Sequence, residues 1–279
     1  MKKWVYNVLM IFFALTMVVS IGFVAKYYIE GAIQASRYQE LSAMKGSSAT
    51  TPRPPVREDD TETDDPTQET TSQFALVKIT NPDTGETVEM LPEFVDLYKM
   101  NNDIVGWCTI PGTKIDYPVT QSIGAPDFYL DHNFDKEYSG RGCIYAQADC
   151  EIDPSSDNVI LYGHRMSDGS MFDALDFYLD ESFFKEHPYI YFDTLKELRT
   201  YKVLAVFRTT ASVGKGYVYH TFVDAADADA FNKYVSDVKG MAEYETGVTA
   251  SYGDTLITLS TCEYSQTNGR LVVVAKRVG

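Results

Sequence analysis

A thiol and a guanidinium flank one short loop of this chain. In "TLSTCEYSQTNGR", Cys262 ends one apolar run and Arg270 begins the next, eight residues on. If "DTLITLSTC" and "RLVVVAKRV" pair as consecutive antiparallel strands, the loop "EYSQTNG" sets Cys262 beside Arg270 at one rim. Side chains alternate along a strand, so Thr258, Ser260 and Cys262 share a face, while Ile257 and Leu259 point the other way with Leu271, Val273 and Ala275. The apolar set then fills an interior and the thiol faces outward, although free cysteines are generally buried as small hydrophobes. An outward thiol suits nucleophilic attack on a carbonyl, given an acid–base group and a donor for the oxyanion.

The acid–base group comes from a short roster. Of the four histidines, His164 in "NVILYGHRMSDGSMF" ends an apolar strand before a polar, Gly-containing loop, where a rim would expose it. His187 in "KEHPY" reads as a turn residue, and His132 in "YLDHN" and His220 in "YVYHTF" sit among aromatics as packed or rim residues. Position along the chain leaves the Cys–His pairing open, because it depends on geometry across the fold. Cys108, Cys143 and Cys150 read as structural, reduced thiols; an extracellular setting permits a disulfide, but nothing in their spacing selects a pair. No CxxC or HxxxH occurs, so no metal site is expected. "DCEIDPSSD" lacks Ca²⁺-loop ligand spacing and reads as a solvated loop.

These residues must be positioned by a folded region from about Phe74 to Gly279. "FALVKI" and "ETVEML" read as strands around the turn "NPDTG", whose composition predicts a hairpin turn. "LPEFVDLYKMNN" reads as a short helix with Pro92 at its first position and Phe94, Leu97 and Tyr98 on one face. The runs "VGWCTI", "IDYPVT", "GCIYAQ", "NVILYGH", "YIYFD" and "TYKVLAVFRT", with the two that bracket the Cys–Arg loop, are spaced for a barrel or sandwich. One long helix interrupts them at Asp224–Glu243, where Phe231, Tyr234, Val235, Val238 and Met241 recur at helical spacing and Asp224, Asp227 and Asp229 favour the positive end of the dipole.

The N-terminal region is built differently. "WVYNVLMIFFALTMVVSIGFVA" at residues 4–25 is long and apolar enough to cross a bilayer as an uncleaved signal anchor. Lys2 and Lys3 precede it and acidic sequence follows, which predicts residues 1–3 in the cytoplasm and the rest outside. Residues 26–45 read as a helical stalk, and residues 46–73, dense in Thr, Pro, Asp and Glu, as a solvated spacer that cannot bury enough apolar surface to fold. A net charge of −16 over 279 residues argues against nucleic-acid partners.

"TLSTC" followed by Arg270, with "YGH" upstream, resembles the active-site pattern of the sortases, cysteine transpeptidases of Gram-positive cell surfaces. "NNDIVGWCTIPGTKIDYPV", "FYLDHN" and "YGHRMSDGSMF" resemble class B in particular, and the likeness runs from about Leu91 to Val278. It implies a mostly-β fold, an eight-stranded barrel with N-terminal helices and one long inserted helix. It implies that Cys262 attacks a threonine carbonyl of a sorting signal to give a thioester, that His164 moves the protons, and that Arg270 holds the oxyanion, helped by a backbone N–H near Glu263. Ser260, on the face of Cys262, would line the groove, Leu130, Tyr217 and Val218 match positions that contact the signal, and Glu263 would meet it through that N–H. The family often carries an asparagine just before the aromatic–Leu run, where this chain has Pro126 and Asp127. The implied partners are surface proteins bearing a C-terminal sorting signal and an amine from a peptidoglycan precursor or a pilin lysine, with no cofactor. A secreted cysteine peptidase would share the Cys–His chemistry but release product to water, and a silent adhesion module would leave Cys262 and Arg270 unexplained.

Overall fold

A computed structural model describes residues 3–46, 53, 75–81, 83–212 and 214–279. The chain divides into two compact units, Met1–Leu41 and Ser42–Gly279.

The first unit is helical. Helix α1 (Lys3–Lys45) runs unbroken through both the apolar span and the expected stalk. Its most apolar window has a mean hydropathy of 2.6 and none of it is buried, so by length and composition it can cross a bilayer. The few hydroxyls in the span do not go begging: Thr16 Oγ1 donates to the Phe13 carbonyl at 2.9 Å and Ser20 Oγ to the Thr16 carbonyl at 2.8 Å. These two hydroxyls are thereby satisfied inside their own helix, as a hydrocarbon environment demands.

In the second unit, strands β1 (Val77–Thr80) and β2 (Thr87–Met90) form the expected hairpin. The Asn81 side chain accepts from the N–H groups of Asp83 and Thr84 at 2.8 and 3.2 Å, and Gly85 takes a φ of 74° that its lack of a Cβ permits. A 3-10 turn (Pro92–Phe94) leads into helix α2 (Val95–Met100), which buries Phe94, Leu97 and Tyr98.

Eight strands follow: β3 (Ile104–Thr109), β4 (Asp116–Thr120), β5 (Ile144–Ala146), β6 (Asn158–Tyr162), β7 (Tyr189–Thr194), β8 (Thr200–Thr210), β9 (Leu256–Glu263) and β10 (Gly269–Arg277). They close in the order β10-β8-β7-β3-β4-β5-β6-β9. The β4–β5 and β6–β9 contacts are parallel and the others antiparallel. Ile257, Leu259, Leu271, Val273 and Ala275 are fully buried along the interior-facing register.

The outer face of β8–β10 is buried as well. Helix α4 (Ala228–Met241), with the Asp227 side chain accepting from Ala230 N–H at 2.9 Å as its N-cap, lays Phe231, Tyr234, Val235 and Val238 into a second core with Phe207, Val272 and Val274. This explains why β9 is buried on both faces, the outward Thr258 and Ser260 included, with Cys262 alone half-buried. A helical segment without a clear sequence signal lies between β6 and β7: a 3-10 stretch (Asp173–Leu179) and helix α3 (Glu181–Glu186), joined by Asp180, which caps α3 through Ser182 N–H.

The spacer expected over residues 46–73 lies outside the described residues except for Gly46 and Arg53. Arg53 does not float in solvent: its guanidinium donates to both Asp193 carboxylate oxygens at 2.7 and 3.1 Å and stacks 3.7 Å from the Tyr191 ring.

Candidate active site

The site is assembled by strand register. In the β9–β10 hairpin Cys262 stands opposite Arg270, as the local sequence predicts. On the far side of β9, parallel strand β6 pairs Tyr162 with Ser260. Two bonds prolong that pairing beyond the strand, Gly163 N–H to the Ser260 carbonyl at 3.2 Å and Thr261 Oγ1 to the Gly163 carbonyl at 2.8 Å. The next residue, His164, therefore arrives at the level of Cys262. Laterally opposed residues in a sheet share a face, so His164, Cys262, Arg270 and, across β10, Thr209 form one row on the outside of the barrel rim.

The three candidate catalytic side chains are each half-buried. His164 Nε2 lies 2.7 Å from the Leu130 carbonyl oxygen. A carbonyl only accepts, so Nε2 carries a proton and Nδ1 is left for proton exchange. Arg270 donates through Nη1 to the carbonyls of Gly269 and Asn268 at 2.9 and 3.4 Å, and its other N–H groups have no partner among the described residues. A guanidinium parked on neutral carbonyls keeps its charge and most of its donors for an incoming oxyanion.

His164 sits at the root of a pinned arch. Its carbonyl accepts from Phe172 N–H at 2.9 Å, Arg165 bridges to Met171, and Met171 N–H donates to the Tyr117 hydroxyl at 3.1 Å. Arg141 grips Asp168 in the arch at 2.5 Å and Ser170 at 3.0 Å. Ser170 and the Arg141 guanidinium outweigh the effect of burial and hold the Asp168 carboxyl below the usual range. Arg165 pairs with Asp173 and Asp176, and its guanidinium lies 5.2 Å from the ring of Tyr264 in the Cys–Arg loop.

All four cysteines are free thiols, and three of them are buried. Burial, helped by Asp116 and Asp193, pushes the Cys108 thiol far up, and burial pushes Cys150 up to about 12. Neither can form a thiolate near neutrality, and only Cys262 combines exposure with a basic neighbour.

The five residues expected to contact a signal are distributed unevenly. Leu130, 44% exposed, lies at the rim on a 3-10 turn (Phe128–Leu130), and it reaches the row through its carbonyl on His164. Val218 is exposed, and Tyr217 is fixed beside the Arg270 row by its N–H on Thr209 Oγ1 at 2.9 Å and by its hydroxyl on Asp237 at 3.3 Å. Ser260 differs from the sequence expectation of a groove-lining residue: it is 1% exposed because the Tyr219 hydroxyl covers it at 2.6 Å. The Glu263 side chain alternates away from the thiol and folds onto Ser265, which donates from N–H at 2.8 Å and Oγ at 2.6 Å. Burial of Glu263 would raise its pKa, but Ser265, Arg208 and Arg165 hold it low.

Three tyrosines form a layer directly beneath the row. Tyr145 on β5 pairs with Tyr162 on β6, their rings 5.5 Å apart, and Tyr162 pairs with Ser260 under Tyr219. Sequence alternation two residues before His164 points to Tyr162, but no local pattern singles out Tyr145 or Tyr219. His132 stacks on Phe128 at 4.0 Å, as expected of a packed histidine.

The chain as a whole is similar to known proteins. The sortase domain family matches residues 108–278. Sortase B of Staphylococcus aureus is 36% identical over 66% of this chain and 74% of its own length, and sortase B of Listeria monocytogenes is 38% identical over 70% and 78%. The solved Staphylococcus aureus sortase B–substrate complex superimposes with a TM-score of 0.62 at 34% identity, covering 68% of this chain and 86% of that one.

Proposed function

The chain belongs to the sortase family, as a class B cysteine transpeptidase, and from that premise we propose that Cys262, His164 and Arg270 carry the reaction through a thioester. The observation that carries this reading is the register that sets the three residues in one row at the rim. The Cys262 thiolate attacks the threonine carbonyl carbon of a sorting signal on a surface protein, and the carbonyl electrons move onto oxygen. Arg270, with the backbone N–H near Glu263, stabilises that oxyanion as it forms. When the oxyanion collapses the peptide C–N bond breaks, and His164 gives a proton from Nδ1 to the departing amine, leaving an acyl–sulfur bond. An amine from a cell-wall precursor, or a pilin lysine, then attacks the thioester and gives its surplus proton back to Nδ1, and the Cys262 thiolate leaves.

The Leu130 carbonyl supports this proton traffic by fixing the imidazole and leaving Nδ1 for exchange. Leu130 and Val218 offer exposed apolar surface around the row for the signal, with the partly buried Tyr217 beside them. Lys2 and Lys3 ahead of the apolar helix favour a cytoplasmic N-terminus and an extracellular catalytic domain.

The test is a library of short threonine-containing peptides incubated with the protein, with and without an added amine. Covalent mass on Cys262, and capture of the acyl group by the amine, are the expected results. Product formed only with water at every amine concentration would overturn transfer in favour of a peptidase.

A further inference from the structure

Among the tyrosines beneath the catalytic row, one hydroxyl differs from the others. Tyr162 donates to Gln147 Oε1 at 2.5 Å and Tyr219 shares a bond with Ser260 at 2.6 Å, so both hydroxyls are used within the fold. Tyr145 is 8% exposed, yet its hydroxyl has no hydrogen-bond partner among the described residues. The hydroxyl oxygen is not among the fully buried unpaired side-chain atoms, so it opens at the rim, where water or a ligand completes it.

The register says what could do so. Tyr145 and Tyr162 are laterally paired, and their ring contact shows both on the outer face, which also carries His164 and Cys262. The phenol lies within electrostatic reach of Asp127, Tyr219, Arg270 and Cys262, and burial foremost, then Asp127, drives its pKa upward, so it stays a neutral donor at any working pH. Asp127, exposed at the start of the turn that carries Leu130, borders the same region.

We propose that the Tyr145 hydroxyl is a signal-binding group, donating a hydrogen bond to an acceptor oxygen of the bound sorting peptide. β5 lies two strands from β9, so at about 4.8 Å per strand the contact falls about 10 Å from the thiol's strand, the span of about three extended residues. The contact is made to substrate and transition state alike, so it acts on binding and leaves the chemical step alone. The proposal rests on the reading of Cys262 as the nucleophile.

Tyr145→Phe removes only the hydroxyl. The probe is the fastest-cleaved internally quenched peptide from a library with threonine at the scissile position. KM should rise about three- to ten-fold with kcat unchanged. The melting temperature should not fall, because no internal bond is lost, and the rate of Cys262 alkylation by iodoacetamide should stay at the wild-type value. An unchanged KM overturns the proposal, and so does a loss of activity that tracks a lower melting temperature. A Cys262→Ala chain that still cleaves the probe would instead remove the nucleophile reading on which the proposal stands, so the two failures are separable.

Discussion

Two clusters of charged side chains in this protein handle charge in opposite ways. At Asp193 on β7 the carboxylate is 1% exposed and meets two cations, Lys45 Nζ at 2.9 Å and the Arg53 guanidinium at 2.7 Å, themselves only 3% and 10% exposed. Lys45 also lies over the rings of Phe94 and Trp107 at 5.4 and 5.7 Å. At the catalytic rim, Cys262, His164 and Arg270 remain half-buried, and the hydrogen bonds of His164 and Arg270 go to backbone carbonyls. A buried charge matched by opposite charge is committed to the fold, because removing either partner strands the other in a medium that solvates it badly. A charge resting on neutral carbonyls gives up little when it turns to a substrate. The first cluster ties residues 45 and 53 into the barrel, and the second keeps its donors for chemistry.

The sharpest way to break this comparison is at the rim. Cys262→Ala should abolish the acyl-enzyme, seen as complete loss of peptide adduct by mass spectrometry. Arg270→Lys keeps the positive charge but loses the planar fork, and loss of one oxyanion donor typically costs ~10²–10³ in turnover, or about 3–4 kcal/mol. Steady-state rates with circular dichroism as a folding control measure this. A lysine variant with near-normal turnover would show that Arg270 only balances charge.

The mirror-image change at the clamp should leave chemistry alone and strike stability. Asp193→Ala removes the carboxylate that Lys45 and Arg53 both meet, and breaking a buried pair costs about 3–5 kcal/mol. Denaturant midpoints should fall accordingly while the folded fraction keeps its wild-type kcat. Equal losses of kcat and stability would mean that the two clusters are not separate.

What the sequence revealed follows the same division between local and distant. All eight barrel strands coincide with apolar runs because each strand carries its period-two pattern within a few residues. The Cys262–Arg270 pairing was legible because a hairpin is local. His164 could be nominated but not paired, since its place beside Cys262 depends on a parallel contact between strands almost a hundred residues apart. For the same reason the covering of Ser260 by Tyr219 was hidden, as was the docking of Arg53 on Asp193 from within a stretch whose composition reads as solvated. The 3-10 stretch and α3 at 173–186 escaped notice because such short helical pieces lack the several turns over which a 3.6-residue period becomes visible.

Thiol labelling separates rim from interior directly. With iodoacetamide near pH 8 the native chain should take one label, on Cys262, because Cys108, Cys143 and Cys150 are buried and the thiols of Cys108 and Cys150 are pushed well above that pH. In urea all four should label. A second label on the native chain would place one of the interior cysteines within reach of solvent.

The smallest expected effect is the most discriminating for the clamp. Arg53→Ala removes one of two cations but leaves Asp193 paired with Lys45 at 2.9 Å, so the carboxylate is not stranded. The loss is then a charge-assisted hydrogen bond and the stacking on Tyr191, at a position 10% exposed, and about 1.5–3 kcal/mol is the ordinary scale for hydrogen bonds to charged groups. Arg53→Lys cannot reach both carboxylate oxygens or stack as a plane, so it should recover only part of that loss. The double variant Asp193→Ala with Arg53→Ala should be less destabilised than the sum of the two single changes, since neither charge is left without the other. Equilibrium unfolding of the four chains reads this out. Strict additivity would mean that Arg53 and Asp193 are neighbours without energetic coupling, and the folded domain would then begin energetically after residue 53.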